Sequence, residues 1–189
     1  MGNMKVPRSL GRFGKPGPVS CVFAAAVAWA FAAALLACAG RGQTYRDVVQ
    51  DLADQPVGEI TPLLSVNQSF SPNHGGLTGV SVFMATWARS NHCDVTFRLR
   101  LDGEDRDVST QPIKCSEIKD NALVRFDFPA IPDSLGRRYV LSFESANAAP
   151  GNAITLWMSG IPGAYPDGTL SFNGKPVPGA LRFTTYHRE

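Results

Sequence analysis

The sequence predicts a mainly β protein: an antiparallel, jelly-roll-like β-sandwich of about eight strands behind one N-terminal transmembrane helix. Three observations carry that expectation. Apolar and polar residues alternate with period two in several separate stretches, turn-forming residues fall between those stretches, and a single long charge-free run lies near the N-terminus.

The charge-free run is Val19 to Ala39, VSCVFAAAVAWAFAAALLACA, twenty-one residues. A helix needs about 20 apolar residues to cross the hydrocarbon of a bilayer. Residues 1–18 form a basic stub with Lys5, Arg8, Arg12 and Lys15 and no acidic residue, which keeps the N-terminus cytoplasmic and places the chain beyond residue 40 outside. The expected location is therefore the inner membrane of a bacterium, single pass, with a periplasmic or otherwise extracytoplasmic domain. Two alternatives stay open. Leu35-Leu36-Ala37-Cys38 is similar to a lipoprotein box, which would put a lipid on Cys38, and alanine-rich stretches also offer sites for plain cleavage.

Residues 40–56, GRGQTYRDVVQDLADQP, carry a helical rhythm at Tyr45, Val48, Val49 and Leu52. The spacing predicts a juxtamembrane helix or stalk ended by Pro56. The sandwich is expected over residues 57–189. A short strand at Asn67 to Phe70 comes first, then Leu77 to Trp87, LTGVSVFMATW, whose nearly continuous apolar character predicts a central strand buried on both faces or one wrapped at a sandwich edge.

Strict alternation marks Cys93 to Leu101, where Cys93, Val95, Phe97, Leu99 and Leu101 face one way and Asp94, Thr96, Arg98 and Arg100 the other. The same beat places Val124, Phe126 and Phe128 inward, then Tyr139, Leu141 and Phe143, then Ile154, Leu156 and Met158, then Leu181 and Phe183. Turn chemistry separates these strands at Asn73-His74-Gly75-Gly76, Asp102-Gly103, Pro166-Asp167-Gly168 and Asn173-Gly174. The last is a hairpin signal. An immunoglobulin-like sandwich is the alternative fold, although no tryptophan lies between Cys93 and Cys115 as its inter-sheet pattern would want.

Cys93 and Cys115 fall in the exported part, where disulfides persist. A Cys93–Cys115 bridge is expected, with two buried free thiols as the alternative. No CxxC or Cys/His spacing points to zinc.

Charge narrows the function classes. The formal net charge of +2 comes from the N-terminal stub, because beyond Cys38 there are fourteen lysines and arginines against sixteen aspartates and glutamates. A nucleic-acid partner needs a basic footprint, and the exported part has none. His74, His92 and His187 sit outside metal and triad motifs, and no G-x-S-x-G elbow, P-loop, dinucleotide fingerprint or haem-attachment motif is present. The chain is accordingly read as a non-enzyme without a cofactor. The acidic run Asp102-Gly103-Glu104-Asp105-Arg106-Asp107 leaves the metal question open, as a hard-cation site or as a solvated hairpin loop.

Aromatic residues are the candidate binding surface. Trp157 is out of phase with Leu156 and Met158, so it should project from the opposite face of its strand; Trp87 ends the long apolar strand, Tyr165 begins a turn, and Tyr186 is out of phase with Phe183. Exposed rings stack on sugars or anchor protein interfaces, and each of these four can instead pack beneath a loop.

With the strands placed, VGEITPLLSVNQSF, GLTGVSVFMATWARSN, DNALVRFDFPAIPDSLGRRYVLSFES and GNAITLW resemble jelly-roll modules of the galactose-binding-like kind. Such modules follow a transmembrane helix in bacterial envelope proteins, some of them fused to polysaccharide-assembly glycosyltransferases. The resemblance covers about residues 57 to 188 and rests on the Gln68-Ser69-Phe70 strand entry, the Pro129 to Pro132 corner and the Tyr165-Pro166-Asp167-Gly168 turn. It implies sugar binding as one function, and a structural calcium in many members, with no ligand residue matched to a position here.

Two functions are expected on these grounds. The first is a membrane-anchored accessory subunit whose sandwich docks on and stabilises a membrane protein complex, motivated by a small domain on a long anchor without catalytic motifs. The alternative is a carbohydrate-binding module of the cell envelope, with the glycan as partner. A lipoprotein lipidated at Cys38 with a structural envelope role is a further variant.

Overall fold

The computed structural model describes Gly2 and residues 42–189. The expected transmembrane segment 19–39, the basic residues of the stub and Cys38 lie outside the described residues. Among the described residues no helix is long and apolar enough to cross a membrane.

Residues 42–189 form two antiparallel sheets with thirteen strands, more than the eight or so that period-two alternation exposes. In chain order these are β1 (Thr44–Gln50), β2 (Gln55–Pro56), β3 (Val66–Phe70), β4 (Leu77–Ala85), β5 (Asp94–Leu101), β6 (Asp107–Lys114), β7 (Ala122–Ile131), β8 (Tyr139–Glu144), β9 (Thr155–Ser159), β10 (Leu170–Phe172), β11 (Lys175–Val177), β12 (Ala180–Leu181) and β13 (Phe183–Arg188). The first sheet runs β1-β13-β4-β9-β12, with β7 along the other side of β4 and β2 on β9; the second runs β11-β10-β3-β8-β5-β6. The single helical turn among the described residues, Cys115–Glu117, is of the 3₁₀ type.

Most of the predicted inward residues form the core, and Leu101 and Val124 are partly buried against it. Val95, Phe97, Leu99, Leu141, Phe143, Ile154, Leu156, Leu181 and Phe183 are all buried, and rings from the two sheets meet between the layers. Phe97 of β5 stacks on Phe126 of β7 with centroids 4.2 Å apart, and Phe70 of β3 approaches Phe183 of β13 at 6.0 Å. Aromatic pairs of this kind add about 0.5–1.5 kcal/mol each beyond area burial. One buried amide also joins the layers: Gln68 of β3 accepts a hydrogen bond from the Leu181 N–H of β12 at 3.0 Å.

Of the run Leu77 to Trp87, Leu77–Ala85 is the central strand buried on both faces, with β7 on one side of it and β13 then β9 on the other; it ends before Trp87, which is exposed. The helix expected over 40–56 is corrected: Thr44–Gln50 is a strand paired with β13, and Gln55–Pro56 pairs with β9. Of the four residues in the helical rhythm only Val48 is buried, and Tyr45, Val49 and Leu52 are exposed. A register shift between Arg46 and Val49 produces the three-residue spacing, since a bulge breaks period two locally. The open edge of β13 offers long-range hydrogen bonds that outweigh a short, weak helical preference. The sandwich consequently begins near Gly42, ahead of the boundary at residue 57.

Strand β6 has no clear sequence signal because it is an edge strand that alternates half-buried and exposed residues and includes Pro112. The disulfide ties it down. Cys93 and Cys115 are bridged with Cα atoms 5.2 Å apart, and the Cys115 N–H donates to the Cys93 carbonyl at 2.8 Å, closing the open end of the β5–β6 hairpin.

Candidate functional site

Trp87 and Trp157 are separated by seventy residues in the chain and line one surface groove of about 370 Å³ beside the outer face of the first sheet. Ala85 and Thr155, paired across β4 and β9, are buried beneath it. Both tryptophans and the small Ala85 are in its lining.

The turn that presents Trp87 is unusual. Trp87 and Ala88 both take the left-handed region, at φ 60° and 53°, and Asn121 across the groove does so at φ 50°. For residues with a Cβ this region costs roughly 1–2 kcal/mol each, so the surroundings must enforce it. Asp120 does so. Its Oδ1 accepts from the Thr86 N–H at 2.6 Å and the Thr86 hydroxyl at 3.1 Å. The backbone N–H of Thr86 holds the carboxyl below its ordinary range against some opposing burial, helped by the Thr86 hydroxyl and the N–H groups of Ala88 and Asn121. On the other side of the turn the Thr86 carbonyl accepts from the Arg89 N–H and from Nδ2 of Asn91, at 3.2 and 3.0 Å. Strain maintained by a dedicated carboxylate leaves Trp87 with 43% of its surface in solvent.

Trp157 faces outward, as its phase in β9 predicts, and is half-buried. Its Nε1–H donates to Oδ1 of Asn121 at 2.9 Å, which fixes the plane of the ring. The lip of the groove thus carries one amide and one carboxylate, from Asn121 and Asp120. The arrangement offers apolar ring faces with polar acceptors at their edge, and no nucleophile–base pair.

The other two aromatic candidates lie elsewhere. Tyr165 is half-buried, edge-on to Phe183 with centroids 5.3 Å apart, and its hydroxyl oxygen accepts from the Ser71 N–H at 3.3 Å. It joins a loop to the core. Tyr186 lies on the outer face of β13 with the Arg125 guanidinium 3.6 Å from its ring centre and a hydrogen bond from the Ser81 hydroxyl at 3.2 Å.

Two of the four carboxylates in the acidic run 102–107 are paired with arginines. Asp107 receives Arg98 and Arg100, each at 2.7 Å, and Asp102 lies 3.3 Å from Arg138. Burial pushes the Asp107 carboxyl up, but hydrogen bonds from Arg100, Arg98 and Thr110 outweigh it and hold the group at about 2. Among the described residues no group of three His, Cys, Asp or Glu side chains could hold a metal ion.

A cluster that sequence reading misses joins β1 to the loop before β4. The carboxylate of Asp47, fully buried, lies 2.8 Å from Nδ1 of His74, and the His74 ring stacks on that of His187 at 4.3 Å. These residues are too far apart in the chain for any spacing to have signalled them.

No protein-family model matches the chain, and no curated protein matches it.

Proposed function

We propose that the exported sandwich is a non-catalytic carbohydrate-binding module of the cell envelope, jelly-roll-like in type, with the Trp87–Trp157 groove as its ring-binding site. One observation supports this above the rest. Two tryptophans from distant parts of the chain line one groove with the small Ala85, and one of them is kept exposed by a strained turn that Asp120 clamps. Hydrophobic collapse alone would bury that indole.

Sugars present apolar C–H faces and peripheral hydroxyls, which suit indole faces with an amide and a carboxylate at the lip. The segment 19–39 holds the module outside the cytoplasm, either as a retained transmembrane helix or through a lipid on Cys38; the intact mass of the mature protein distinguishes the two. The test of binding is a glycan array probed with the full-length chain, alongside Trp87→Ala and Trp157→Ala. Binding to a defined glycan class that both variants lose supports the reading. Absence of binding across the array by folded protein overturns it.

A second reading, the accessory subunit of a membrane complex, rests on a different observation. Leu123, 46% exposed, stands opposite Phe83 on the same outer face, next to the groove, and exposed apolar side chains grouped in this way suit protein docking. Extraction in mild detergent tests it through co-purification of a stoichiometric partner whose recovery depends on Leu123. Migration as a free monomer counts against it.

A further inference from the structure

Beside the groove, one strand over from Trp157, stands a cation without a carboxylate partner. At the level of Phe83 the strand pairings set out a row across the outer face of the first sheet. Leu123 of β7 pairs with Phe83, the Phe83 N–H donates to the Arg182 carbonyl at 3.1 Å, the Arg182 N–H donates to the Trp157 carbonyl at 2.9 Å, and Trp157 pairs with Pro56. Arg182 and Trp157 are therefore cross-strand neighbours on one face, where Cβ atoms lie about 4.5–5.5 Å apart.

The Arg182 guanidinium stacks on Phe83, 4.2 Å from the ring centre, and its Nε is buried without a hydrogen-bond partner. Among the described residues Arg46, Arg106, Arg182 and Arg188 have no carboxylate within ion-pair distance, and the Arg188 Nε is likewise buried without a partner; Arg182 differs from the other three in stacking on a ring beside the groove. The buried Nε is out of a ligand's reach, but the two terminal amino groups make no protein hydrogen bond and are not among the buried unsatisfied atoms, so they are the donors that a carboxylate or sulfate would meet. Asp120 is in the lining of the groove, at the end of β4 where β7 begins, and Arg182 stands outside that lining at the level of Phe83.

We infer that the groove takes an anionic sugar residue, with its ring on Trp157 and Trp87 and its acidic substituent on Arg182. This rests on the carbohydrate reading and narrows it. Asp120, whose oxygens are already engaged by Thr86 and by Nδ2 of Asn121 at 3.1 Å, repels an anion, so the acidic substituent lies toward Arg182 and away from the Asp120–Asn121 lip. Stacking on Phe83 holds the guanidinium in place before a ligand arrives, which lowers the ordering cost of binding.

The experiment is calorimetric titration of the full-length protein in mild detergent with three sets of probes: oligogalacturonates, oligoglucuronates and oligomannuronates; the carboxyl-reduced neutral counterpart of each; and sulfated oligosaccharides. The expected result is an affinity for at least one acidic set about tenfold or more above its neutral counterpart. Arg182→Gln should abolish that preference while leaving the weaker neutral binding, and Arg182→Lys should retain part of it. Preference for sulfated over carboxylated sugars would assign the anion's chemistry within the same proposal. Equal binding of acidic and neutral sugars, or a preference that survives Arg182→Gln, overturns the proposal and leaves the carbohydrate reading intact. Failure of every probe to bind protein with native circular dichroism overturns both.

Discussion

Thr86 gives both of its hydrogen-bond donors, the backbone N–H at 2.6 Å and the side-chain hydroxyl at 3.1 Å, to one oxygen of Asp120. This ties the end of β4 to the segment that enters β7 and sets the conformation in which Trp87 is exposed. Asp120→Ala should release the turn, shift tryptophan emission and lower ligand affinity, while the core strands remain. Because the folded carboxyl is held below its ordinary range, its contribution is complete above that range and is lost as pH falls through the lowered value. Tryptophan emission followed through acid titration, compared with Asp120→Asn, checks this; superimposable curves would detach the turn from Asp120.

Ala88 occupies φ 53°, a region open to glycine without penalty. Ala88→Gly should raise stability by up to about 1 kcal/mol if relief of strain exceeds the added freedom of the unfolded chain. Urea denaturation measures it. Unchanged glycan binding in the same variant would show that Asp120, and not the alanine, shapes the turn.

Asp107 should make the sandwich acid-sensitive in a defined window. Its carboxyl falls from the ordinary value near 4 to about 2, so the stabilisation is present above pH 4 and disappears between about pH 4 and 2. Arg98 and Arg100 are about one-third exposed, and solvent screening reduces the contribution to about 1 kcal/mol. Asp107→Asn should lose that amount at pH 7 and only a small part of it at pH 2, measured by denaturant midpoint at both.

The Cys93–Cys115 bridge closes a separation of 22 residues at the edge of the second sheet. Reduction, or the double substitution to alanine, should lower stability by about 3 kcal/mol. The loss should appear first as faster amide exchange in β6, which pairs only with β5.

Gln68 is fully buried and its Oε1 is the side-chain acceptor for the Leu181 N–H. Gln68→Leu keeps the approximate volume and removes that acceptor, so about 1–3 kcal/mol should be lost. Thermal unfolding checks it, and a change within about 0.5 kcal/mol would mean that another acceptor replaces the amide.

Phase along a strand was legible from residue order because it depends only on the alternation of side chains about an extended backbone. It located the buried side chains from Val95 to Phe183 and turned Trp157 outward. The same logic failed at Thr44–Gln50, where a bulge imitated a helical period, and at β6, where an edge strand buries too little to show a pattern. Four aromatic residues were candidates on equal terms. Folding brings Trp87 and Trp157 into one groove, sets Tyr165 against Phe183, and places Tyr186 beneath Arg125.

Residue order alone was enough for the sheet class, the inward residues and the outward tryptophan, because these depend on local periodicity. It took the folded chain to show that Asp120 holds the Trp87 turn, that Ala85 lines one groove with two indoles, and that Arg182 stands unpaired beside Trp157. Those relations arise from the lateral order and register of β4, β7, β9 and β12, and register is set by long-range hydrogen bonding and packing that no short stretch of sequence contains.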